Sequence, residues 1–376
     1  MTHIHWLGAG LSSIPGIRRM ASNGQKLTIW NRTLEKAEHS INHVQSSDVL
    51  AKKFNLFELS TLLEPGDIVV SQLAASLHIE IAKICLEKKC HFATSSYISP
   101  ELRKLHEEAL KNNLIFLNEV GLDPGIDHFF SHLLVQELKE KNLSNISVSY
   151  KSFCGGITAI PNDFKYKFSW SPVGVIKALN NKAKFIDNYA EKIVTPYQYI
   201  NSFEVNNENF EAYPNRDSLP YIKEYLFSSD WKIKNFIRGT LRLNGWSHAW
   251  KNIFALLEGP SATLDEKIKI KSDELWSEYQ YKENEKDRVV LSVQLEALNN
   301  ENQIIWSGGY ELDESGSGEN TAMAILVSIT LSAGIDLILQ NKLNPGVQAA
   351  PHSKKNIEYF FSILKSFNIN IKKNND

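Results

Sequence analysis

The chain has 376 residues, of which 43% are hydrophobic and 22% are charged, the composition of an ordinary soluble globular protein with room for two or three domains. Its 41 Lys and Arg residues nearly balance its 43 Asp and Glu residues, which leaves a formal net charge of -2. This balance argues against a nucleic-acid partner and favours a small molecule.

The cysteines indicate a reducing compartment rather than a disulfide framework or a metal site. Cys85, Cys90 and Cys154 are odd in number and lack the paired C-x-x-C spacing. The opening stretch, "MTHIHWLGAG", lacks the basic and long apolar regions of a secretory signal, and no apolar run reaches the about 20 residues of a membrane span. We therefore expect a cytoplasmic protein that binds neither a metal nor a membrane.

The N-terminal stretch predicts a dinucleotide-binding turn. A short apolar strand leads into Gly8 and Gly10, a helical stretch follows, and "KLTIWNRT" is a second strand. In this setting Gly8 permits the tight turn, and Gly10 lets the backbone approach a pyrophosphate at the helix N-terminus. The third position of the G-x-G-x-x-G pattern is Ser13, a small residue that weakens the match but can still pack closely.

The end of the second strand favours NADP(H) over NAD(H). NAD-binding proteins commonly carry Asp or Glu there to bind the ribose 2′-hydroxyl, whereas an Arg accommodates a 2′-phosphate. Here the sequence is Asn31-Arg32-Thr33, which offers a guanidinium and a hydroxyl but no carboxylate. The alternative is that Arg32 is a solvated surface charge at the start of a helix.

The chain continues to alternate strands and helices, which predicts a parallel sheet with right-handed crossovers. Further strands are expected within 66–73, 91–99 and 114–117. Ligands bind at the carboxyl ends of strands in open α/β sheets, so the loops that follow the strands should share one functional edge. These loops are Gly8–Ser13, Asn31–Thr33, Ser71–Ala75, Ser95–Ser99 and Glu119–Gly125.

The last of these loops lies in "NEVGLDPGIDHFF" and carries four titratable candidates for a site. They are Glu119, Asp123, Asp127 and His128. The alternative is a purely structural turn, because Asp-Pro-Gly is an ordinary turn sequence and Asp127 can cap the helix that follows.

After Asn142 the sequence predicts a second domain built on a mainly antiparallel sheet. The stretches 146–156, 288–299 and 303–312 are β-rich or alternating. Helices are expected in 171–185, in the aromatic-rich region 199–238, in 318–343, whose small residues indicate a buried helix, and in the amphipathic stretch 354–368.

Two stretches of this part carry more polar side chains than a scaffold needs. "FCGGITAIPNDFKYKFSWSP" contains Cys154, and "AYPNRDS" contains Arg216. The planar guanidinium of Arg216 suits bidentate binding of a carboxylate, although a salt bridge with Asp217 is the alternative. For Cys154 a packing role is favoured over a nucleophile, because no His or acid lies close to it in the sequence.

Together these motifs resemble the saccharopine reductase family, the glutamate-forming saccharopine dehydrogenases. The resemblance spans nearly the whole chain and rests on "TSSYISPELR", "NEVGLDPGIDH", "FCGG", "YKFSWSP" and "YPNRDS", together with "RGTLR" (238–242), "TAMA" (321–324) and "PGVQA" (345–349). It implies an α/β protein with an NADP-binding Rossmann domain at 1–125. It also implies an α+β substrate-binding and dimerisation domain with added helices at 126–344, and a segment at 345–376 that packs back on the Rossmann domain.

The resemblance implies a reaction in lysine metabolism. L-2-Aminoadipate 6-semialdehyde would condense with L-glutamate, and NADPH would reduce the imine to saccharopine, or the reverse would occur, in a homodimer. Hydride transfer needs the two reacting carbons held in close orientation, so positioning can supply much of the acceleration.

The resemblance also assigns residues. Substrate contacts would come from Ser96, Tyr97, Asp123, Cys154, Gly155, Arg216 and Thr240. Cofactor contacts would come from Gly8, Gly10, Leu11, Ser12, Arg32, Thr33, Leu73, Ser95, Ser96, Leu122, Pro124, Ser169 and Trp170. Asp123 would pair with a substrate ammonium and Arg216 would hold a carboxylate. Asp123 and Tyr97 are the catalytic candidates, and the general acid or base stays open among Asp123, Tyr97, Cys154 and water.

Two alternatives remain at this stage. The sequence departs from the family at Ser13 and in the "SQLAAS" loop, which lacks the apolar-Pro pattern. One alternative is a carboxynorspermidine synthase-like condensation of aspartate semialdehyde with a diamine. The other is an NADP(H)-sensing module without turnover. Arg216 argues for the amino-acid substrate, because a diamine substrate would call for extra acidic residues and fewer groups that bind carboxylates.

Overall fold

The computed structural model describes residues 2–259 and 263–375, and the chain divides into two compact units. The first unit combines Met1–Phe129 with Ala324–Ile369, and the second combines Phe130–Met323 with Asn370–Asp376. Each unit is therefore built from two separate stretches of the chain.

The strands of the described residues are numbered in chain order. They are β1 (His3–Leu7), β2 (Lys26–Asn31), β3 (Val49–Lys53), β4 (Ile68–Ser71), β5 (His91–Ala93), β6 (Ile115–Leu117), β7 (Ser147–Thr158), β8 (Ala183–Asp187), β9 (Ala190–Val194), β10 (Asn201–Val205), β11 (Glu208–Pro214), β12 (Lys232–Leu243), β13 (Lys286–Leu298), β14 (Ile304–Ser317), β15 (Gly346–Gln348) and β16 (Ile371–Asn375).

The helices are numbered in the same way. They are α1 (Ile14–Ser22), α2 (Leu34–Ser40), α3 (Leu56–Leu62), α4 (His78–Lys88), α5 (Pro100–Arg103), α6 (His106–Lys111), α7 (Ile126–Glu140), α8 (Pro172–Asn180), α9 (Pro220–Glu224), α10 (Trp246–Ala249), α11 (Lys251–Leu257), α12 (Leu264–Tyr279), α13 (Ala322–Leu339) and α14 (Lys354–Ser366). Short 3-10 turns lie at Ala75–Leu77 and Pro196–Gln198.

The first unit contains the predicted parallel sheet. Among the described residues it has seven strands in the order β15-β6-β5-β4-β1-β2-β3, and every pairing is parallel. Apolar runs such as Ile68–Val70 and Phe116–Leu117 are fully buried, as expected for strands covered on both faces. Because the strands are parallel, the five predicted loops all follow strand ends at the same edge of the sheet, as the sequence predicted.

The C-terminal part of the first unit begins earlier than the predicted residue 345. The apolar helix α13 falls in this unit from Ala324 onwards, and its Gly334 lies against Leu117 and Val120. Helix α14 packs here as well, with the Phe360 ring centroid 4.4 Å from that of Phe129. The predicted boundary at 344 therefore differs from the observed one, because α13 buries its side chains in the first unit rather than in the second.

Helix α13 is the one helix of the described chain that is long and apolar enough to cross a membrane, judged by length and composition alone. Its mean hydropathy is 2.1, and 78% of it is buried inside the protein. It therefore has the character of a core helix, as its small residues indicated.

The second unit is built on a mixed sheet that is mainly antiparallel. Its nine described strands include the path β10-β11-β12-β7-β13-β14-β16, with β8 joined to β12 and β9 joined to β8. Only the β12–β7 pairing on this path is parallel. The segment from Ile371 to Asn375 pairs with β14 and belongs to this sheet, so the chain beyond Ile369 does not follow the predicted return to the Rossmann domain.

The prediction that the region 199–238 supplies helices holds only for the short helix α9. This region contains β10, β11 and the start of β12, with α9 as its one described helix. Asn206 and Asn207 join β10 to β11 and both have positive φ, 51° and 61°, the conformation of a two-residue hairpin turn. The aromatic side chains that resembled a helix face are the alternating side chains of a hairpin.

Candidate functional site

The turn after β1 has the geometry that a dinucleotide-binding loop needs. Gly8 has φ +102°, and a Cβ there would lie 2.8 Å from the Gln72 carbonyl oxygen. Gly10 is exposed, and no described atom lies within 4 Å of the position its Cβ would take. The backbone at Gly10 is therefore open to a ligand, and Leu11, which is 57% exposed, and the half-buried Ser12 follow it directly.

The close packing expected of a third glycine is supplied by Gly16 rather than by position 13. Ser13 is buried at the N-cap position of α1, where its side chain makes no capping hydrogen bond. A Cβ at Gly16 would overlap the Ser328 carbonyl oxygen of α13, and the Gly16 N–H donates to Ser328 Oγ at 2.8 Å. The departure at Ser13 thus leaves α1 able to pack closely, because the small residue needed for that contact lies one turn later.

The loop after β2 places the proposed 2′-phosphate residues next to this turn. Asn31 Oδ1 accepts from the Ala9 N–H at 3.2 Å, and Asn31 Nδ2 donates to the Thr33 carbonyl at 2.9 Å. Asn31 therefore holds the two loops together. Arg32 and Thr33 are exposed beside it, and Arg32 forms no ion pair with any described residue.

The loops after β4, β5 and β6 bring together most of the other predicted residues of the first unit. Gln72 Nε2 donates to Ser95 Oγ at 2.9 Å, and Leu73 lies beside Gly8. A Cβ at Gly121 would lie 2.9 Å from Ser95 Cβ, so the loops of Ser95 and Leu122 are in direct contact. The Gly121 N–H donates to the Pro124 carbonyl at 2.9 Å and closes the loop that carries Asp123.

The two catalytic candidates contact each other. The Tyr97 hydroxyl donates to Asp123 Oδ1 at 2.9 Å. Ser96, the preceding residue, donates its N–H to Thr94 Oγ1 at 3.2 Å. Asp127 Oδ1 accepts from the Gly125 N–H at 2.7 Å, which agrees with the structural role considered for this carboxylate.

In the second unit, the predicted substrate residues Cys154 and Thr240 are direct partners in the β7–β12 pairing. Gly155 fits closely against β12, since its Cβ would lie 2.6 Å from the Leu241 carbonyl oxygen. Thr240 is also opposite Tyr213 of β11. Residues two apart on a strand share a face, so Arg238 and Arg242 lie on the same sheet face as Thr240.

Arg242 is a functional candidate that the sequence reasoning missed. It is 5% exposed, and its guanidinium carbon lies 4.9 Å from the Tyr166 ring centroid, 5.5 Å from that of Tyr213 and 5.6 Å from that of Trp246. Its Nη1 donates to the Leu241 carbonyl at 3.1 Å. Its Nε has no hydrogen-bond partner among the described residues, and no carboxylate of that set forms an ion pair with it.

The aromatic walls around Arg242 carry no compensating negative charge. Burial raises the pKa of both Tyr166 and Tyr213, so both phenols are neutral near pH 7. Cation–π contact stabilises the guanidinium, but a buried cation is costly without a hydrogen-bonded counter-charge. This arrangement suits a ligand anion that can accept hydrogen bonds. The Arg-x-Thr-x-Arg alternation in "RGTLR" was the sequence feature that could have identified it.

The remaining predicted residues of the second unit are more scattered. Arg216 is exposed in the turn after β11, where φ is +62°. Its neighbour Asn215 donates its N–H to the Arg238 carbonyl at 3.0 Å, so this turn adjoins the strand that carries Arg242. Ser169 is buried beside Gly156, and Trp170, which is 41% exposed, packs on Gly174.

A second group of titratable side chains lies at the opposite edge of the first unit's sheet. His3, His5 and Asp67 bring one potential metal-ligand atom each within 4.8 Å of the others. Asp67 accepts N–H groups from His3 and Glu64, and Trp30 Nε1 donates to His5 Nδ1 at 3.2 Å. Burial, followed by the neighbouring His5, lowers the pKa of His3 to about 4. His5 Nε2 lies 3.5 Å from Asp67 Oδ2.

Two family models match the chain. Residues 4–117 match the saccharopine dehydrogenase NADP binding domain, and residues 121–369 match the saccharopine dehydrogenase C-terminal domain. The two matches together cover nearly the whole chain.

Curated relatives carry consistent names. The chain is 34% identical over 252 residues to saccharopine dehydrogenase [NADP(+), L-glutamate-forming] of Pyricularia oryzae. This alignment covers 64% of the present chain and 54% of the Pyricularia oryzae protein. The protein of the same name from Schizosaccharomyces pombe is 32% identical, and the alignment covers 56% of its length. The mitochondrial alpha-aminoadipic semialdehyde synthase of Mus musculus is 36% identical over 53% of this chain and 23% of its own length. The matched stretch thus spans about half the length of the first two.

Solved structures support the fold. Apo saccharopine dehydrogenase (L-Glu forming) from Saccharomyces cerevisiae superposes with a TM-score of 0.81 and 24% identity over 100% of both chains. Homospermidine synthase from Legionella pneumophila, solved with NAD, gives a TM-score of 0.64 and 13% identity over 100% of this chain and 91% of that one.

Proposed function

The chain belongs to the saccharopine dehydrogenase family, and from this premise we propose that it catalyses the reductive condensation of L-2-aminoadipate 6-semialdehyde with L-glutamate. The product is saccharopine, and the reverse reaction releases glutamate. The cofactor is NADP(H), in agreement with the domain model that matches residues 4–117.

The observation that carries this proposal is the buried guanidinium of Arg242. Saccharopine bears three carboxylates, so its binding site needs buried cations that have not already been neutralised by the protein. Arg242 meets that requirement within the described residues, because three aromatic rings and a carbonyl surround it and no carboxylate pairs with it. A substrate carboxylate would supply the missing counter-charge through a planar, two-point contact.

The substrate nitrogen requires a different partner, and Asp123 supplies it in this proposal. An ammonium group is a donor without acceptors, and an ionised carboxylate is its natural counterpart. The Tyr97 hydroxyl donates to Asp123 Oδ1, and this contact orients the carboxylate. Arg216 is proposed to bind a second carboxylate, as an exposed side chain in the turn next to β12.

The residues around the first turn fit NADP(H). The open backbone at Gly10 and the start of α1 suit a pyrophosphate, and Arg32 with Thr33 suits a 2′-phosphate. When bound, the nicotinamide supplies the hydride that reduces the imine. The contribution of the chain is to bind both substrates and to orient the reacting carbon, which is where positioning lowers the barrier.

A diamine substrate fits the second unit less well. The diamine reaction would bring a single carboxylate, that of aspartate semialdehyde, whereas saccharopine brings three, so the diamine product offers fewer anionic groups to the buried Arg242 and the exposed Arg216. The same argument disfavours the carboxynorspermidine synthase-like alternative, and no observation on the described residues favours a sensor without turnover.

The Arg242→Met variant tests the proposal. It keeps the length and apolar contacts of the side chain and removes the charge. We expect the KM for saccharopine to rise by roughly 10 to 100-fold, the equivalent of losing one charged hydrogen-bonded contact, with an unchanged KM for NADP⁺. The matched control is Arg288→Met, because Arg288 lies in the same sheet but is already paired with Asp313 and Glu208. Equal effects of the two variants on saccharopine binding would contradict the role of Arg242.

We further propose that the protein acts in the cytoplasm as a homodimer. Cys85, Cys90 and Cys154 are buried and form no disulfide among the described residues, which is compatible with a reducing compartment. Light scattering coupled to size-exclusion chromatography tests the dimer. Because the chain has a mass of 42.7 kDa, a single species of that mass would show a monomer and contradict the proposal.

A further inference from the structure

Glu119 and His128 form a buried pair that the proposed function leaves unexplained. Glu119 is 3% exposed and His128 is 1% exposed, and His128 Nε2 lies 2.9 Å from Glu119 Oε2. Glu119 lies two residues after the end of β6, in the loop that leads to Asp123, and His128 lies in the first turn of α7. Burying a carboxyl and an imidazole is costly, so the pair must be stabilised by specific contacts.

Glu119 also holds the neighbouring loop on both sides of Tyr97. Its Oε1 accepts from the Ile98 N–H at 2.9 Å, and its own N–H donates to the Ser96 carbonyl at 3.0 Å. The residues immediately before and after Tyr97 are therefore both hydrogen-bonded to Glu119. The Tyr97 side chain in turn donates to Asp123 Oδ1.

The backbone conformation of Glu119 also favours its contacts with the segment around Tyr97. Its φ is +57°, in the left-handed region that residues other than glycine seldom adopt. This conformation lets both the N–H and the side chain of one residue reach the Ser96–Ile98 segment. Such backbone conformations persist only where surrounding contacts compensate for their cost, and His128 supplies one of those contacts.

We propose that Glu119 and His128 are positioning residues that fix Tyr97, and through it Asp123, in the orientation that binds the substrate amine. Glu119 acts on the backbone on either side of Tyr97, and His128 holds the Glu119 carboxyl in place. The substrate role in this inference rests on the proposed function. The mechanical part, that Glu119 orders the Ser96–Ile98 segment, is independent of the reaction.

The experiment compares Glu119→Ala, which removes both side-chain contacts, with Glu119→Gln, which keeps an oxygen acceptor for the Ile98 N–H. Asp67→Asn is the matched control, because Asp67 is a buried carboxyl that accepts two backbone N–H groups at the opposite edge of the same sheet. The first readout is the steady-state KM of saccharopine and of NADP⁺. The second is hydrogen exchange of the peptide that contains Ile98, measured beside the free energy of unfolding.

We expect Glu119→Ala to lower kcat/KM for saccharopine by about 100-fold, the size of effect that a displacement of about 1 Å produces, mainly through KM. The KM for NADP⁺ and the parameters of Asp67→Asn should stay close to wild type, and Glu119→Gln should recover most of the loss. A merely structural role would instead lower the active fraction and leave both KM values unchanged, and that result would overturn the proposal.

Hydrogen exchange separates this inference from the proposed function. If the wild-type protein does not oxidise saccharopine, the proposed function fails. Faster exchange at Ile98 in Glu119→Ala, beyond any loss of global stability, still supports the ordering of the segment, whereas unchanged protection overturns it. If Glu119→Ala does not fold, the KM values and the hydrogen exchange at Ile98 are measured on His128→Gln instead. This variant removes the imidazole that contacts Glu119 and leaves the hydrogen bond from the Ile98 N–H to Glu119 available.

Discussion

We propose that binding of the substrate amine depends on Asp123, a side chain of the first unit. Its Oδ1 is occupied by Tyr97, so Asp123→Ala removes both the proposed ammonium partner and the acceptor of the Tyr97 hydroxyl. We expect kcat/KM for saccharopine to fall by at least about 100-fold, because the variant removes a charged hydrogen bond to the substrate and the contact that orients the substrate amine. NADPH binding, measured by fluorescence titration, should be unchanged. Near-normal turnover would remove Asp123 from the site.

We propose that Arg32 sets the preference for NADP(H) over NAD(H). It is exposed, and it forms no ion pair in the described part of the chain, so its charge is available to a 2′-phosphate. Arg32→Ala should weaken NADPH binding by roughly 10 to 100-fold and leave NADH binding unaffected, because only NADPH has the phosphate. Lys36→Ala, one turn further along α2, is the control. An equal loss for both cofactors would indicate a structural role for Arg32.

The residues of the site were predictable from the sequence to different degrees. Gly8, Gly10, Arg32 and the loop of Asp123 follow directly after strands, and strand order places such loops at one edge. The pairing of Glu119 with His128 and the aromatic surroundings of Arg242 depend on contacts between distant segments, such as Tyr166 and Trp246 with β12. Periodicity contains no information about those contacts.

At the level of elements, the contact between α1 and α13 explains how the turn tolerates Ser13. A Cβ at Gly16 would overlap the Ser328 carbonyl oxygen, so Gly16→Ala must push the two helices apart. We expect the free energy of unfolding to fall by about 1–3 kcal/mol, the usual cost of overpacking, and NADPH binding to weaken because α1 begins at the pyrophosphate loop.

A urea denaturation series checks this expectation. Gly24→Ala is an instructive comparison, because Gly24 also has a constrained position, φ +71°, but no described atom lies within 4 Å of its Cβ position. It should cost stability through backbone conformation alone and leave NADPH binding unchanged. Wild-type stability and cofactor affinity in Gly16→Ala would contradict the packing argument.

Whole elements were predicted well where one periodicity dominated. The strands of the parallel sheet and the helices α13 and α14 follow from buried apolar runs and from helical spacing. Of the helices expected in 199–238 only α9 is present, because a hairpin of half-buried strands spaces its aromatic residues in a similar way over short stretches. The adjacent residues Asn206 and Asn207 were the local sign of that hairpin.

On the scale of the whole molecule, the first unit is completed by residues from near the C-terminal end. Strand β15 extends the parallel sheet beyond β6, and α13 and α14 add to its core. The NADP-binding sheet therefore depends on segments that lie more than half the chain away in sequence. The sequence predicts this return only at residue 345, because the apolar character of α13 gives no indication of which core it enters.

The most direct test of the central claim is the oxidation of NADPH by purified protein, followed by absorbance. L-2-Aminoadipate 6-semialdehyde and L-glutamate are supplied together, singly, or replaced by aspartate semialdehyde and diaminopropane. The account predicts oxidation that requires both L-2-aminoadipate 6-semialdehyde and L-glutamate and that yields saccharopine. Oxidation only with the diamine pair, or tight NADPH binding without oxidation under any of these conditions, would contradict it.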